Sequence, residues 1–106
     1  MNYGFININN CVVEQKSIIK KIAQKRGYTI DTWLEFDIVK LRAYCDDFLK
    51  ENDILFISNL KLFKSQSRLD TMGVLKTCNL KDIRVYSEEN NDKSPMYLIC
   101  LLNKMI

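Results

Sequence analysis

Several groups of side chains in this 106-residue chain are of the types that chemistry uses. Lys61, Lys64 and Arg68 put three cations close together, a spacing that suits a bound phosphate and, equally well, a solvated helix entry. Ser58, Ser65 and Ser67 supply hydroxyls beside them. A serine attacks only when a base takes its proton, and the chain has no histidine. That removes the commonest neutral-pH base, every triad built on imidazole and the commonest metal ligand. The serines therefore read as turn and cap residues. Asp46 and Asp47 are adjacent, and neighbours on a helix point in different directions, so they do not make a paired-carboxylate metal site. Cys11, Cys45, Cys78 and Cys100 are widely spaced and form no Cys-x-x-Cys pair, so the residues indicate no zinc, and reduced thiols in the cytoplasm are the expectation. Nothing resembles a Gly-rich phosphate loop, and no cofactor is indicated.

The cations follow Asp53 to Ser58, whose consecutive apolar residues Ile54, Leu55, Phe56 and Ile57 read as a short strand buried on both faces. It should be the central strand of a parallel sheet. Open α/β sheets keep their sites at the carboxyl ends of the strands. The exit loop Asn59 to Ser65 and the loop after the first strand are therefore the places to look.

Asn2 to Ile8 is rich in aromatic and β-branched residues and predicts the first strand. Ile18, Ile19, Ile22 and Ala23 recur at helical spacing within a helix from Val12 to Arg26 that Gly27 stops. Tyr28 to Phe36 reads as a second strand whose mixed polarity suits a sheet edge, with Trp33 and Phe36 as core or edge cover. Ile38, Leu41, Cys45, Phe48 and Leu49 mark a second helix, and Leu69, Met72, Leu75 and Cys78 a third, from about Ser67 to Asn79. Ile83 and Val85 alternate with Arg84 and Tyr86 as a fourth, partly exposed strand would. Ser94-Pro95 opens a last helix, apolar nearly all round through Met96, Tyr97, Ile99, Cys100, Leu102 and Met105. Such a helix must bury more than one face, which makes it a candidate association surface alongside the alternative of full docking on its own sheet.

The alternation of strands and helices predicts one α/β domain over residues 1–106. Its three layers, α/β/α, would enclose a mainly parallel four-stranded sheet, with a fifth strand as an option. With 47% hydrophobic residues the chain can build a core, and a net charge of +3 is an ordinary surface balance more readily than a nucleic-acid footprint. The apolar segment Met96 to Ile106 is shorter than the roughly 20 residues of a membrane span, so no membrane association is expected.

The local sequence also resembles a known family. Tyr3-Gly4-Phe5-Ile6-Asn7-Ile8-Asn9 is similar to the first strand of the serine recombinases (resolvases and DNA invertases), which write Tyr-Gly-Tyr-x-Arg-Val-Ser. Glu14-Gln15 and Tyr28-Thr29-Ile30-Asp31-Thr32-Trp33 look like the invertase-type branch. Lys50 to Leu60 resembles Lys-x-Gly-Asp-x-Leu-x-Val-x-x-Leu, and Ser94-Pro95-Met96 resembles the Thr-Pro-Met that opens the family's long dimerisation helix, here residues 95–106 and cut short. The resemblance implies a resolvase-like fold, a role in DNA recombination, and a chain that lacks the family's separate DNA-binding module.

The catalytic positions depart from that pattern. The family's nucleophilic Ser falls on Asn9 and its strand Arg on Asn7, while the Leu-Asp-Arg-Leu-Gly-Arg after the central strand becomes Leu60-Lys61-Leu62-Phe63-Lys64-Ser65. Asp is thus replaced by Lys61, and two arginines by Leu62 and Ser65. The loop before the second helix also shrinks to Asp37-Ile38-Val39-Lys40. Strand exchange needs a hydroxyl that can hold DNA as an ester and guanidinium groups around the charged transition state. An amide is not such a nucleophile, and Lys64 is a point charge that does not replace bidentate forks.

The expectation is a non-catalytic accessory protein that pairs with itself or with an intact recombinase through the last helix. A weak DNA contact through Lys61, Lys64 and Arg68 is a subsidiary expectation. The alternatives are a recombinase with altered chemistry and a small nucleotide-binding module.

Overall fold

A computed structural model of the chain describes residues 1–64, 68–90 and 94–104. Among these, four strands and five helices follow one another as β1 (Asn2–Asn7), α1 (Val12–Lys25), β2 (Thr32–Phe36), α2 (Ile38–Asp47), β3 (Ile54–Phe56), α3 (Leu60–Phe63), α4 (Arg68–Leu80), β4 (Arg84–Tyr86) and α5 (Pro95–Lys104). Ser65 and Ser67, and Met105 and Ile106 of the expected final helix, lie outside the described residues.

The sheet is parallel throughout, in the order β2-β1-β3-β4. Gly4 pairs with Trp33 on one side and Phe56 on the other, so β1 and β3 are the inner strands. Alternation along them divides the side chains into two cores. Tyr3, Phe5, Leu55, Ile57 and Val85 join Leu41 and Cys45 of α2, Val74, Leu75 and Cys78 of α4, and Leu98, Ile99 and Leu102 of α5. On the other face Ile6, Ile54, Phe56 and Tyr86 join Ile19 and Ala23 of α1. One face thus carries three long helices and the other carries α1, an arrangement compatible with α/β/α layering. Among the described residues no helix is long and apolar enough to cross a membrane.

Local chemistry sets the element ends. Gly27 adopts φ 78°, which the chain needs to leave α1, and the Tyr28 N–H closes on the Ala23 carbonyl at 2.9 Å. The Asp37 carboxylate accepts the Lys40 N–H at 2.8 Å and starts α2 directly after β2. At the far end of α2, Lys81 Nζ donates to the carbonyls of Cys45, Asp46 and Leu49, supplying donors that a helix end lacks.

Two expected elements differ. The second strand starts at Thr32, four residues later than expected from the sequence. Before it the chain is tied to β1 by side-chain bonds, Asn2 N–H to the Asp31 carboxylate at 2.8 Å and Asn2 Nδ2 to the Thr29 carbonyl at 3.0 Å, and the Tyr28 ring packs into the α1-side core. The exit segment after β3, expected as a loop, contains α3, because the Asn59 side chain accepts the Leu62 N–H at 2.9 Å while Leu60 and Phe63 are fully buried.

The four thiols divide sharply by environment. Cys11 and Cys100 are exposed, whereas Cys45 and Cys78 are wholly buried between α2 and α4. The Cys45 thiol beside it, and then burial, hold the Cys78 thiol well above its ordinary pKa. Because the thiolate is the reactive form, a thiol-specific chromogenic reagent is expected to titrate two cysteines at once in the native protein and the other two only after denaturant. Four rapid equivalents would show that α2 and α4 do not close over the pair.

Candidate functional site

The order β2-β1-β3-β4 reverses direction between β1 and β3, and the crevice beyond their carboxyl ends is where an α/β sheet of this kind binds ligands. Asn7 ends β1 there and is fully buried. Its side chain is wholly engaged, Nδ2 donating to the Phe63 carbonyl at 3.1 Å and Oδ1 accepting the Asn9 N–H at 3.1 Å. Its backbone is clasped by Gln15 of α1, whose Oε1 accepts the Asn7 N–H at 2.9 Å and whose Nε2 donates to the Asn7 carbonyl at 2.8 Å. Asn10 adds a bond from Nδ2 to the Leu62 carbonyl at 2.6 Å. The last turn of α3 is therefore bolted to the β1 loop by two amide side chains.

The other end of α3 is closed by carboxylates. Glu89 Oε2 accepts the Leu60 N–H at 3.0 Å, and Glu88 Oε1 accepts from Asn59 Nδ2 at 2.8 Å. Glu88 N–H in turn donates to the Ser58 carbonyl at 3.0 Å, which fixes this segment beside the end of β3. Asn90 holds the segment in shape, its side chain accepting the Ser87 N–H at 2.7 Å and donating to the Val85 carbonyl. Two carboxylates thus occupy the start of α3, the helix that also carries the exposed Lys61.

The sequence-predicted residues are distributed around this mouth without converging on a reaction centre. Asn9 is exposed in the turn after β1, Lys61 and Lys64 are exposed on and just after α3, and Leu62 is half-buried. Arg68, the third cation of the predicted cluster, donates to Asn103 Oδ1 of α5 at 2.6 Å. Ser58 Oγ is buried and has no hydrogen-bond partner, so it is out of reach of a phosphodiester. The four arginines are otherwise engaged: Arg42 with Asp70 at 3.0 Å, Arg84 with the Tyr86 hydroxyl at 3.4 Å, Arg26 over the Tyr86 ring at 4.2 Å, and Arg68 as above. Asp46 accepts a bond from the Thr77 hydroxyl at 3.0 Å, a link between α2 and α4.

Along α5 the predicted association residues separate by burial. Ile99 and Leu102 pack into the chain's own core and are unavailable to a partner in this fold. Met96, 47% exposed, Cys100, exposed, and Tyr97, half-buried, lie on the outward side.

Sequence reasoning missed Gln15, Asn10, Asn59, Glu88 and Glu89 as members of the mouth. Glu88 and Glu89 follow the fourth strand after Ser87 alone, and a strand's carboxyl end was the signal that would have found them. No protein-family model matches this chain, and no curated protein matches it.

Proposed function

We propose that this chain is a non-catalytic association module of the serine recombinase type, pairing through the outward side of α5 with a second copy or with an intact recombinase. The observation that carries the reading is the closed mouth of the sheet. Asn7, Asn10 and Gln15 spend their amides on bracing β1 and α3, and Glu88 and Glu89 cover the opposite end of α3. A site built for phosphoryl exchange keeps a nucleophile accessible and cations pointed at the reacting group. Here the amides serve the scaffold, two carboxylates hold the start of α3, and Lys61 and Lys64 are exposed on and just after it.

With the mouth spent on structure, what the fold still offers is surface. Met96 and Cys100 lie beside Tyr97 on a helix whose other side is docked on α4, leaving apolar side chains for a partner to cover. The resemblance of Ser94-Pro95-Met96 to the start of a dimerisation helix supports the same use of α5.

Sedimentation velocity across a concentration series tests the reading. A dimer forming at about 10 μM or below, a typical range for a small apolar interface, is expected for the native chain, and Met96→Glu is expected to return it to monomer. A chain that stays monomeric throughout and fails to capture an intact recombinase in solution overturns the association. Nicking of supercoiled DNA, or a protein-linked DNA end, overturns the absence of catalysis.

A further inference from the structure

Beside the mouth, with which it shares Glu88, a cleft of about 660 Å3 runs along the flank of α1, lined by Lys21, Ile22, Lys25, Arg26, Tyr28 and Tyr86 together with Ser87. It exists because α1 is the one helix on its side of the sheet among the described residues, and it covers β1 better than β4. The Tyr28 and Tyr86 rings are stacked 6.2 Å apart at 28°, and the Arg26 guanidinium lies over Tyr86.

The charge along this flank is unbalanced. Five of the chain's 16 Lys and Arg but only one of its 13 Asp and Glu fall between residues 12 and 26, so that segment is +4 and the remainder of the chain −1. Lys21 and Lys25 are four apart on one helix and share a face, where like charges repel. Neither has an ion-pair partner among the described residues. Glu88, the carboxylate of the cleft, is held toward Asn59 by the bond from Asn59 Nδ2 at 2.8 Å. The end of α1 does not itself attract an anion, since a helix dipole is negative there, so the lysines supply the attraction.

Size then decides what kind of anion fits. A water takes about 30 Å3 and a bare phosphate only a few times that, whereas sites for organic ligands run from about 300 to 1,000 Å3. We propose that the cleft binds a small phosphorylated ligand bearing a planar ring, of the mononucleotide class. The phosphate lies between Lys21 and Lys25, and the ring covers the floor formed by Ile22 and Tyr28. This site is on the opposite face of the sheet from α5 and is independent of the association proposed above.

Titration of the isotope-labelled chain, followed by amide chemical shifts, tests it with four probes: adenosine monophosphate, adenosine, inorganic phosphate and a short oligodeoxythymidylate. Adenosine monophosphate is expected to move amides within residues 21–28 and 86–88 with a dissociation constant of ~0.1 mM, where only a few contacts contribute. The double variant Lys21→Gln, Lys25→Gln is expected to weaken it about tenfold through loss of two charge-assisted bonds. Tyr28→Leu is expected to weaken adenosine monophosphate while leaving phosphate unchanged. No saturable shift, shifts elsewhere, or an unaffected lysine variant overturns the site. Phosphate binding as tightly as adenosine monophosphate overturns ring recognition, and a much tighter oligonucleotide makes the flank a polyanion surface instead.

Discussion

Phe63→Ala is expected to cost about 3–5 kcal/mol, the range for removing a fully buried aromatic ring. Against a total stability of about 5–15 kcal/mol for a domain of this size, the change would consume much of the margin. Phe63 is fully buried, with its ring edge-on to Phe5 at a centroid distance of 5.7 Å. It ends α3, a helix of four residues, and one turn of helix has almost no stability of its own. Tertiary contacts must hold it, and this ring is the largest of them. Without it the Phe63 carbonyl would drift from Asn7 Nδ2, leaving a buried amide short of its acceptor. Urea unfolding measures the effect as a lower midpoint at unchanged slope. Phe63→Leu should restore most of it, because apolar volume is largely kept. A loss below about 1 kcal/mol for the alanine variant, the level of a typical surface substitution or little more, would show that α3 is not anchored by this ring.

The second large effect is expected at Gln15. Its side chain satisfies both backbone groups of Asn7, at 2.9 and 2.8 Å, in a fully buried setting. Leucine fills similar space but satisfies neither group. The Asn7 carbonyl still accepts the Asn10 N–H at 3.1 Å, whereas the Asn7 N–H loses its acceptor. At about 1–3 kcal/mol for a polar group left buried and unpaired, Gln15→Leu should cost about 1–3 kcal/mol. Gln15→Glu separates the hydrogen bonds from the volume. A carboxylate accepts from the Asn7 N–H but has nothing to give the carbonyl, and its charge is buried at a cost. Only the protonated acid makes both bonds, so its folded pKa should rise above the ordinary value of about 4.3 for a free glutamate. The stability of this variant is then fully present below that ordinary value and is lost as pH rises through the higher folded one. Denaturation midpoints measured from pH 4 to pH 7 give the check: a variant as stable as the native chain at neutral pH would mean that water, rather than residue 15, serves Asn7.

The framework was legible because its signals are local. Ile54 to Ile57 is a continuous apolar run, Ile19 and Ala23 are a turn apart, and Gly27 sits where a left-handed residue must end α1. The edge position of β2 followed from the mixed polarity of Tyr28 to Phe36. Leu60 to Phe63 was not legible, since four residues hold too little periodicity to distinguish a turn of helix from a loop. The mouth was readable only in part. The resemblance to a recombinase strand directed attention to Asn7 and Asn9, but the bonds that close the site join residues far apart in sequence, Asn10 to Leu62 and Leu60 to Glu89. Composition fixes how many amides and carboxylates exist; their partners are chosen by the order of the strands. The burial of Ile99 and Leu102 was hidden for a related reason, as a helix apolar on all sides does not declare which side its own domain takes.

One residue of the fold doubles as an optical probe. Trp33 is the chain's single tryptophan, and its ring lies so flat against β1 that a methyl group at Gly4 would come within 2.7 Å of it. The Lys16 ammonium stands 5.1 Å from the ring centre. Its fluorescence therefore senses the seam where α1 and β2 meet the first strand, whereas circular dichroism is dominated by helices on the far side. Coincident melting curves from the two signals would mean that both layers come apart in one cooperative step, and an earlier change in emission would reveal that the single-helix side loosens first.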